Sequence, residues 1–348
     1  TERTYLGLAR QQQIRQELYV FLLQKREETA IGKTSNVSNS KVIDLPKAGL
    51  KPIRPKKMLS LVVGLLAGLS LPVLIIYLKD LLNTKVTSRE DINRGTKLPV
   101  IAEISHNNIK GSELLIEEGS RSAIAEEFRS LRTNLAFYLK SKEQKTILLS
   151  SSMSGEGKSF VALNLAMVQA LSGKKVVIME MDLRKPNIMA KLGVKNPCGF
   201  SNYVISDSMP PEEIIYPSGI HDNLFLISSG PIPPNPSELI LSDRMQDLME
   251  VLNRKFDQII IDTPPVGLVT DGQLLSEYAD ITLFLVRQGY TYRSQLALIE
   301  NLSKEGKMGK MVILVNDIRI NSAYGYGYGY GYGYGYGYSN GYYHSPRK

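Results

Sequence analysis

The sequence predicts an α/β fold, a parallel sheet with flanking helices, preceded by one long helix and one helix of membrane-spanning length. Three observations carry this prediction. Met58–Leu78 runs 21 residues without a charged side chain. Residues 3–31 place Ile14, Leu18, Phe21 and Leu22 at helical spacing among Arg and Gln. From Lys145 onward, short apolar runs alternate with helical segments in the order strand, loop, helix, strand.

In chain order, the first helix carries one apolar stripe, suited to a partner helix or coiled coil, and ends at Gly32 and the Ser/Asn-rich run to Ser40. Residues 44–57 hold three prolines and read as an extended linker, closing a segment taken as 1–57. The first residue is Thr1 rather than Met, so the chain reads as a piece of something longer. At 1.5 Å per residue, Met58–Leu78 spans roughly 31 Å, about one hydrocarbon core. Pro72 inside it is tolerable in lipid, and a signal-peptide core would be shorter and N-terminal. Six Lys/Arg precede the span and five follow it within about 20 residues, so flanking charge does not orient it.

Residues 79–120 read as a juxtamembrane connector, and 121–140 as an amphipathic helix opening an α/β domain over 121–321. Strands are expected at Thr146–Ser151, Lys175–Met181, Leu224–Ser228, Gln258–Asp262, Ile281–Val286 and Met311–Val315. Their near-continuous apolar character suits buried parallel strands. Helices are expected at 158–172, 237–254 and 293–305. The single cysteine, Cys198, excludes an intramolecular disulfide and reads as a buried thiol. Net charge is +8, yet residues 1–57 hold 12 Lys/Arg against 5 Asp/Glu, whereas 79–348 hold 30 against 29. The α/β domain therefore lacks the net basic stripe of a nucleic-acid-binding domain, and no nucleic-acid partner is expected.

Ser150–Ser159 reads SSSMSGEGKS, the spacing of a P-loop, with Ser152 where the first glycine usually stands. Gly155 restores backbone freedom in mid-loop. A strand before and a helix after complete a P-loop NTPase-type unit. Its backbone amides, from Ser154, Gly155, Glu156 and Gly157 into Phe160, would cradle phosphates at the helix N-terminus. Lys158 would reach the β- and γ-phosphates, and the Ser159 hydroxyl would ligate Mg²⁺. Gln258–Pro265 (QIIIDTPP) ends a strand on Asp262, the expected second Mg²⁺ partner, at the sheet edge where ligands bind. VVIMEMDLRKP, at Val176–Pro186, supplies Glu180 and Asp182, two apart and so on one side of an extended strand. Asp271 follows Asp262 by nine residues. These carboxylates exceed what Mg²⁺ alone needs, and one could act as base towards an attacking hydroxyl.

Together these motifs resemble the three Walker-type motifs of bacterial tyrosine kinases, the cytoplasmic domains of Wzc-like polysaccharide co-polymerases. EEFRSLRTNL resembles that family's oligomerisation helix, here Glu126, Arg129 and Arg132, and GPIPPNPSELI its Pro-rich signature. The preceding helix, linker and span resemble the end of its periplasmic chain-length domain. The resemblance implies ATP and Mg²⁺ as cofactors, with Lys158, Glu180, Asp182 and Asp262 catalytic and Ser159, Asp182 and Asp262 on the metal. It also implies Asn316, after the last strand, near the adenine. Glu180 stands where the family usually has Asp, which implies a displaced carboxylate and reduced activity. It further implies a ring homo-oligomer, an octamer, in the bacterial inner membrane. Residues 79–348 would be cytoplasmic, where ATP is, and 1–57 extracytoplasmic. Polysaccharide polymerisation and export machinery and a protein tyrosine phosphatase are the implied partners.

The tail, residues 322–348, alternates Tyr and Gly at Tyr324, Tyr326, Tyr328, Tyr330, Tyr332, Tyr334, Tyr336 and Tyr338, then adds Tyr342 and Tyr343. It has no acidic residue and little to bury, and is expected to be disordered. An adhesive low-complexity segment and a β-prone tract are the bland readings. Beside a P-loop and spare carboxylates, the tyrosines read as phosphoacceptors, phosphorylated in trans within the ring. Each phosphate adds about −1.5 to −2 charge, so a modified tail would repel its neighbours. A non-catalytic chain-length regulator, with nucleotide only switching assembly, is the competing reading. A partitioning-type ATPase is disfavoured, because residues 150–154 lack that class's extra lysine.

Overall fold

The computed structural model describes residues 2–35, 49, 56–107, 114–141, 143–194 and 198–319. The ten tail tyrosines and nearly all of the Pro-rich linker lie outside the described residues. The chain divides into two compact units, Thr1–Leu78 and Lys79–Lys348.

The first unit is helical. Helix α1 (Glu2–Ser35) runs uninterrupted and its described side chains are exposed. Helix α2 (Lys57–Leu81) carries Pro72 in its interior. It is long and apolar enough to cross a membrane by length and composition, and its large apolar side chains are exposed.

Among the described residues the second unit is built on eight strands: β1 (Val100–Ser105), β2 (Thr146–Ser151), β3 (Val176–Glu180), β4 (Tyr216–Pro217), β5 (Leu224–Ile227), β6 (Gln258–Asp262), β7 (Ile281–Arg287) and β8 (Met311–Ile318). Their order is β1-β8-β7-β2-β6-β3-β5-β4, parallel throughout except for the β4–β5 pair. Between them lie α3 (Arg89–Gly95), α4 (Ala123–Tyr138), α5 (Lys158–Leu171), α6 (Ile188–Leu192), α7 (Phe200–Ile205), α8 (Pro236–Ile240), α9 (Asp243–Lys255), α10 (Asp271–Leu275) and α11 (Arg293–Lys304).

Strand pleating sorts the apolar residues to two faces. Ile147, Leu149 and Ile260 join Phe128, Leu131, Leu135 and Leu165 of α4 and α5. Leu148, Ile259 and Ile261 join Met245, Leu248 and Leu252 of α9 and Leu296 and Ile299 of α11. Each such side chain contributes roughly 1.5–3 kcal/mol on full burial, and the double-sided cover explains the unbroken apolar runs.

The six expected strands are present, as are the helices expected at 158–172 and 293–305; the one expected at 237–254 is broken at Leu241–Ser242 into α8 and α9, and the sheet is wider than the sequence reading. Val100–Ser105, read as part of a connector, is an edge strand on β8, with Val100 opposite Ile313. Its half-buried VIAEIS pattern lacks the unbroken apolar run of the central strands. Helix α3 before it is closed by a capping box of Ser88 and Asp91. Cys198 is half-buried rather than buried, because it lies in the loop leading into α7.

Candidate nucleotide site

Because the central strands are parallel, β2, β3, β6, β7 and β8 all end on one edge, and the loops leaving them converge there. The loop after β2 turns at Gly155 (φ 82°) and Gly157 (φ 100°). Both lie in the left-handed region, which glycine enters without steric cost. A Cβ on Gly157 would stand 2.1 Å from Asn316 Nδ2. Gly157 is the N-cap of α5 and supplies no side-chain cap, so the first amides of a 14-residue helix are left facing the loop.

Lys158 is buried and donates from Nζ to Ser151 Oγ at 2.9 Å. Burial pulls its ammonium below the usual lysine range, while Asp262, Glu156 and Asp182 oppose that shift. Ser159 donates to Asp262 Oδ2 at 2.6 Å. Burial pushes the Asp262 carboxyl up to about 7, against the Ser159 hydrogen bond and the Lys158 charge. The other oxygen, Oδ1, is buried with no hydrogen-bond partner among the described residues.

An open cleft of about 500 Å³ lies over this loop. Of the sequence-predicted residues, Ser154, Gly155, Gly157, Lys158, Ser159, Phe160, Asp182 and Asn316 line it. Asp182 Oδ1 accepts from the amides of Arg184 (3.3 Å) and Lys185 (3.0 Å). Asp262 does not line the cleft but is buried beside Ser159, and three further predicted side chains are placed elsewhere. Glu156 turns inward, fully buried, where it accepts from the Met153 amide at 2.7 Å, the Ser152 hydroxyl at 3.2 Å and the Thr291 hydroxyl. Burial raises its carboxyl. Glu180 is buried behind the cleft and accepts from the amides of Asn187 (2.6 Å) and Ile188 (2.5 Å). Asp271 is buried against Arg184 Nε at 3.1 Å and Ser237 Oγ at 2.6 Å. Asn316 sits inside β8, not after it, and donates to the Glu156 carbonyl at 2.9 Å.

Sequence reasoning missed the residues at the ends of β1, β7 and β8. Arg287 donates from Nη1 to the Gly155 carbonyl at 2.7 Å and from Nε to Asp317 at 2.9 Å. Tyr290 Oη donates to the Ser154 carbonyl at 2.9 Å, and its ring lies 5.1 Å from the Arg287 guanidinium. Asp317 adopts φ 62° and also pairs with His106. The available signal was position: Arg287 ends a strand on the ligand edge, but only acidic strand ends were read. At the far end of α5, Arg129 bonds Glu126 (2.5 Å) and the Ser120 carbonyl (2.6 Å), while Arg132 reaches the Val168 carbonyl at 3.2 Å.

Fold and site together define a P-loop NTPase-type α/β unit. A family model described as "G-rich domain on putative tyrosine kinase" matches residues 1–81, and one described as "AAA domain" matches 144–308. Tyrosine-protein kinase Ptk of Acinetobacter johnsonii is 32% identical over 336 residues, covering 93% of this chain and 45% of that protein. Tyrosine-protein kinase Etk of Escherichia coli K12 is 29% identical over 349 residues, covering 94% and 48%. The crystal structure of the chimerical protein CapA2B2 is 31% identical and superposes with a TM-score of 0.61, over 67% of this chain and all of that one. The kinase domain of Escherichia coli Etk gives 27% identity and a TM-score of 0.63, over 70% and 99%. The chain belongs to the Wzc-like bacterial tyrosine kinase family. It spans under half the length of the curated relatives it matches.

Proposed function

We propose that the Lys79–Lys348 unit is a protein tyrosine kinase that transfers the γ-phosphoryl group of ATP to tyrosine hydroxyls, chiefly on the tail of a neighbouring copy. The observation that carries this reading is the uncapped N-terminus of α5, which sets Lys158 and the Ser159–Asp262 pair beside a cleft lined by Asp182. The names of the relatives, tyrosine-protein kinases, agree with it.

The residues fit the cofactors. Asp262 Oδ1 is an acceptor with no partner among the described residues, as a group meant for a hydrated cation would be. Ser159, Asp262 and Asp182 would hold Mg²⁺, which when bound neutralises charge on the β- and γ-phosphate oxygens. The amides from Ser154 to Phe160 bind the phosphates, and Lys158 exchanges Ser151 for phosphate oxygens. The tyrosine oxygen bonds to the γ-phosphorus and gives up its proton to solvent, the bond to the β–γ bridging oxygen breaks, and ADP leaves with that electron pair. A loose transition state asks little of a base, so positioning and charge carry the step. Asn316 is assigned to the nucleotide side of the cleft.

Helix α2 anchors the chain in the bacterial inner membrane, with residues 79–348 cytoplasmic and 1–57 outside. Glu126, Arg129 and Arg132 contribute to a ring assembly that serves capsular or exopolysaccharide polymerisation and export. A tyrosine phosphatase resets the tail.

The test mixes a Lys158→Met chain with a chain deleted for Tyr324–Tyr343, in ATP and Mg²⁺. Phosphotyrosine is expected on the Lys158→Met chain. Its absence there, with wild-type chains modified normally, overturns transfer between copies. Absence from wild type, with nucleotide still altering assembly, overturns the kinase in favour of a chain-length regulator.

A further inference from the structure

The cleft segment Asp182–Ile188 is held from behind by two buried carboxylates. Glu180 is 2% exposed, and its Oε1 gathers the amides of Asn187 and Ile188, with the backbone of Ser229 as a further partner. Asp271, the first residue of α10, takes the Arg184 guanidinium and the Ser237 hydroxyl. Neither lines the cleft, yet the Asp182–Ile188 segment they hold puts Asp182, Lys185 and Asn187 into it. We propose that Glu180 is a positioning residue: its carboxylate fixes the Asp182–Ile188 segment through the amides of Asn187 and Ile188, and takes no part in metal binding or proton transfer.

Length, not charge, is what this role requires. The role needs an acceptor oxygen at the end of a three-atom reach, and two backbone donors fill it. Glutamine keeps both the reach and a carbonyl acceptor. Aspartate keeps the charge but withdraws the oxygens by one methylene, about 1.5 Å, and a misplacement near 1 Å can cost about 100-fold in rate. A metal-ligating or basic Glu180 demands the reverse order, since glutamine removes the charge and aspartate is the shorter residue of the Walker-type motif.

This inference rests on the kinase reading, and its test separates the two. Full-length Glu180→Gln and Glu180→Asp chains are compared with wild type for phosphorylation of an alternating Tyr-Gly peptide, with kcat and KM for ATP determined separately. Amide hydrogen exchange at Asn187 and Ile188 is followed in the same samples. Glu180→Gln is expected to stay within about threefold of wild type in kcat/KM. Glu180→Asp is expected to lose at least about tenfold, mostly in kcat, and to exchange faster at those two amides. Glu180→Asp at or above wild type, or Glu180→Gln inactive while folded and protected at both amides, overturns the proposal. A wild-type chain that makes no phosphotyrosine overturns the kinase reading alone, because exchange at Asn187 and Ile188 still reports whether Glu180 holds the segment.

Discussion

The Ser159 hydroxyl donates to Asp262 Oδ2 across 2.6 Å, tying the first turn of α5 to the last residue of β6. Two motifs 103 residues apart in sequence thereby become one site.

The Asp262 carboxyl makes stability depend on pH. Its folded value, about 7, stands above the ordinary 3.8, so between those limits the folded state holds the extra proton. Stability is then full below the lower value and falls as pH rises through the upper one. Without nucleotide and in chelator, Asp262→Asn is expected to melt about 3–8 °C above wild type at pH 8. The gap should close towards pH 5. Thermal melts at both pH values check this, and an equal gap at the two refutes it.

Lys158→Met removes a buried ammonium that burial already disfavours. Phosphoryl transfer is expected to fall by about 100–1,000-fold, as for loss of one transition-state donor, with Tm unchanged or raised. A variant that melts well below wild type would make the lysine a structural residue.

Arg287→Ala releases the Gly155 carbonyl and one partner of Asp317. KM for ATP is expected to rise about tenfold, the scale of one charge-assisted hydrogen bond. Tyr290→Phe, losing a neutral hydroxyl, should raise it only about threefold. Steady-state kinetics decide, and a change confined to kcat contradicts a role in binding.

Arg184→Ala leaves Asp271, 1% exposed in its side chain, without its cation. Because Arg184 itself is 43% exposed, the loss is expected near 1–3 kcal/mol rather than the full cost of breaking a buried pair. Asp271→Asn should restore part of it in the double variant. Urea unfolding of the four chains completes the cycle, and additive effects would deny the pair any coupling.

Much of this was legible in the sequence, for physical reasons that also mark the limits. Parallel strands covered on both faces must be apolar along their length, so β2, β3, β6, β7 and β8 announced themselves. The edge strands did not: β1 is half-solvated, and β4 is two residues long. Gly157, Lys158 and Ser159 were legible because phosphate chemistry fixes their spacing. The direction of a side chain was not. Glu180 and Asp271 carry the charge of site residues, but their partners, Asn187, Ile188 and Arg184, are fixed by loop geometry. Arg287 and Tyr290 reach the P-loop across more than 130 residues of sequence, a juxtaposition that strand order alone creates.

Three successive carbonyls, of Ser154, Gly155 and Glu156, are held by Tyr290, Arg287 and Asn316. In a trans peptide the carbonyl and the following amide point in opposite directions. Fastening those oxygens from the β7 and β8 side therefore turns the N–H groups of Gly155, Glu156 and Gly157 the other way, towards incoming phosphate. The loop thus owes the direction of its amides to three donors outside it. Such a receptor is aimed before its ligand arrives, and little reorientation of dipoles is left to oppose binding or transfer.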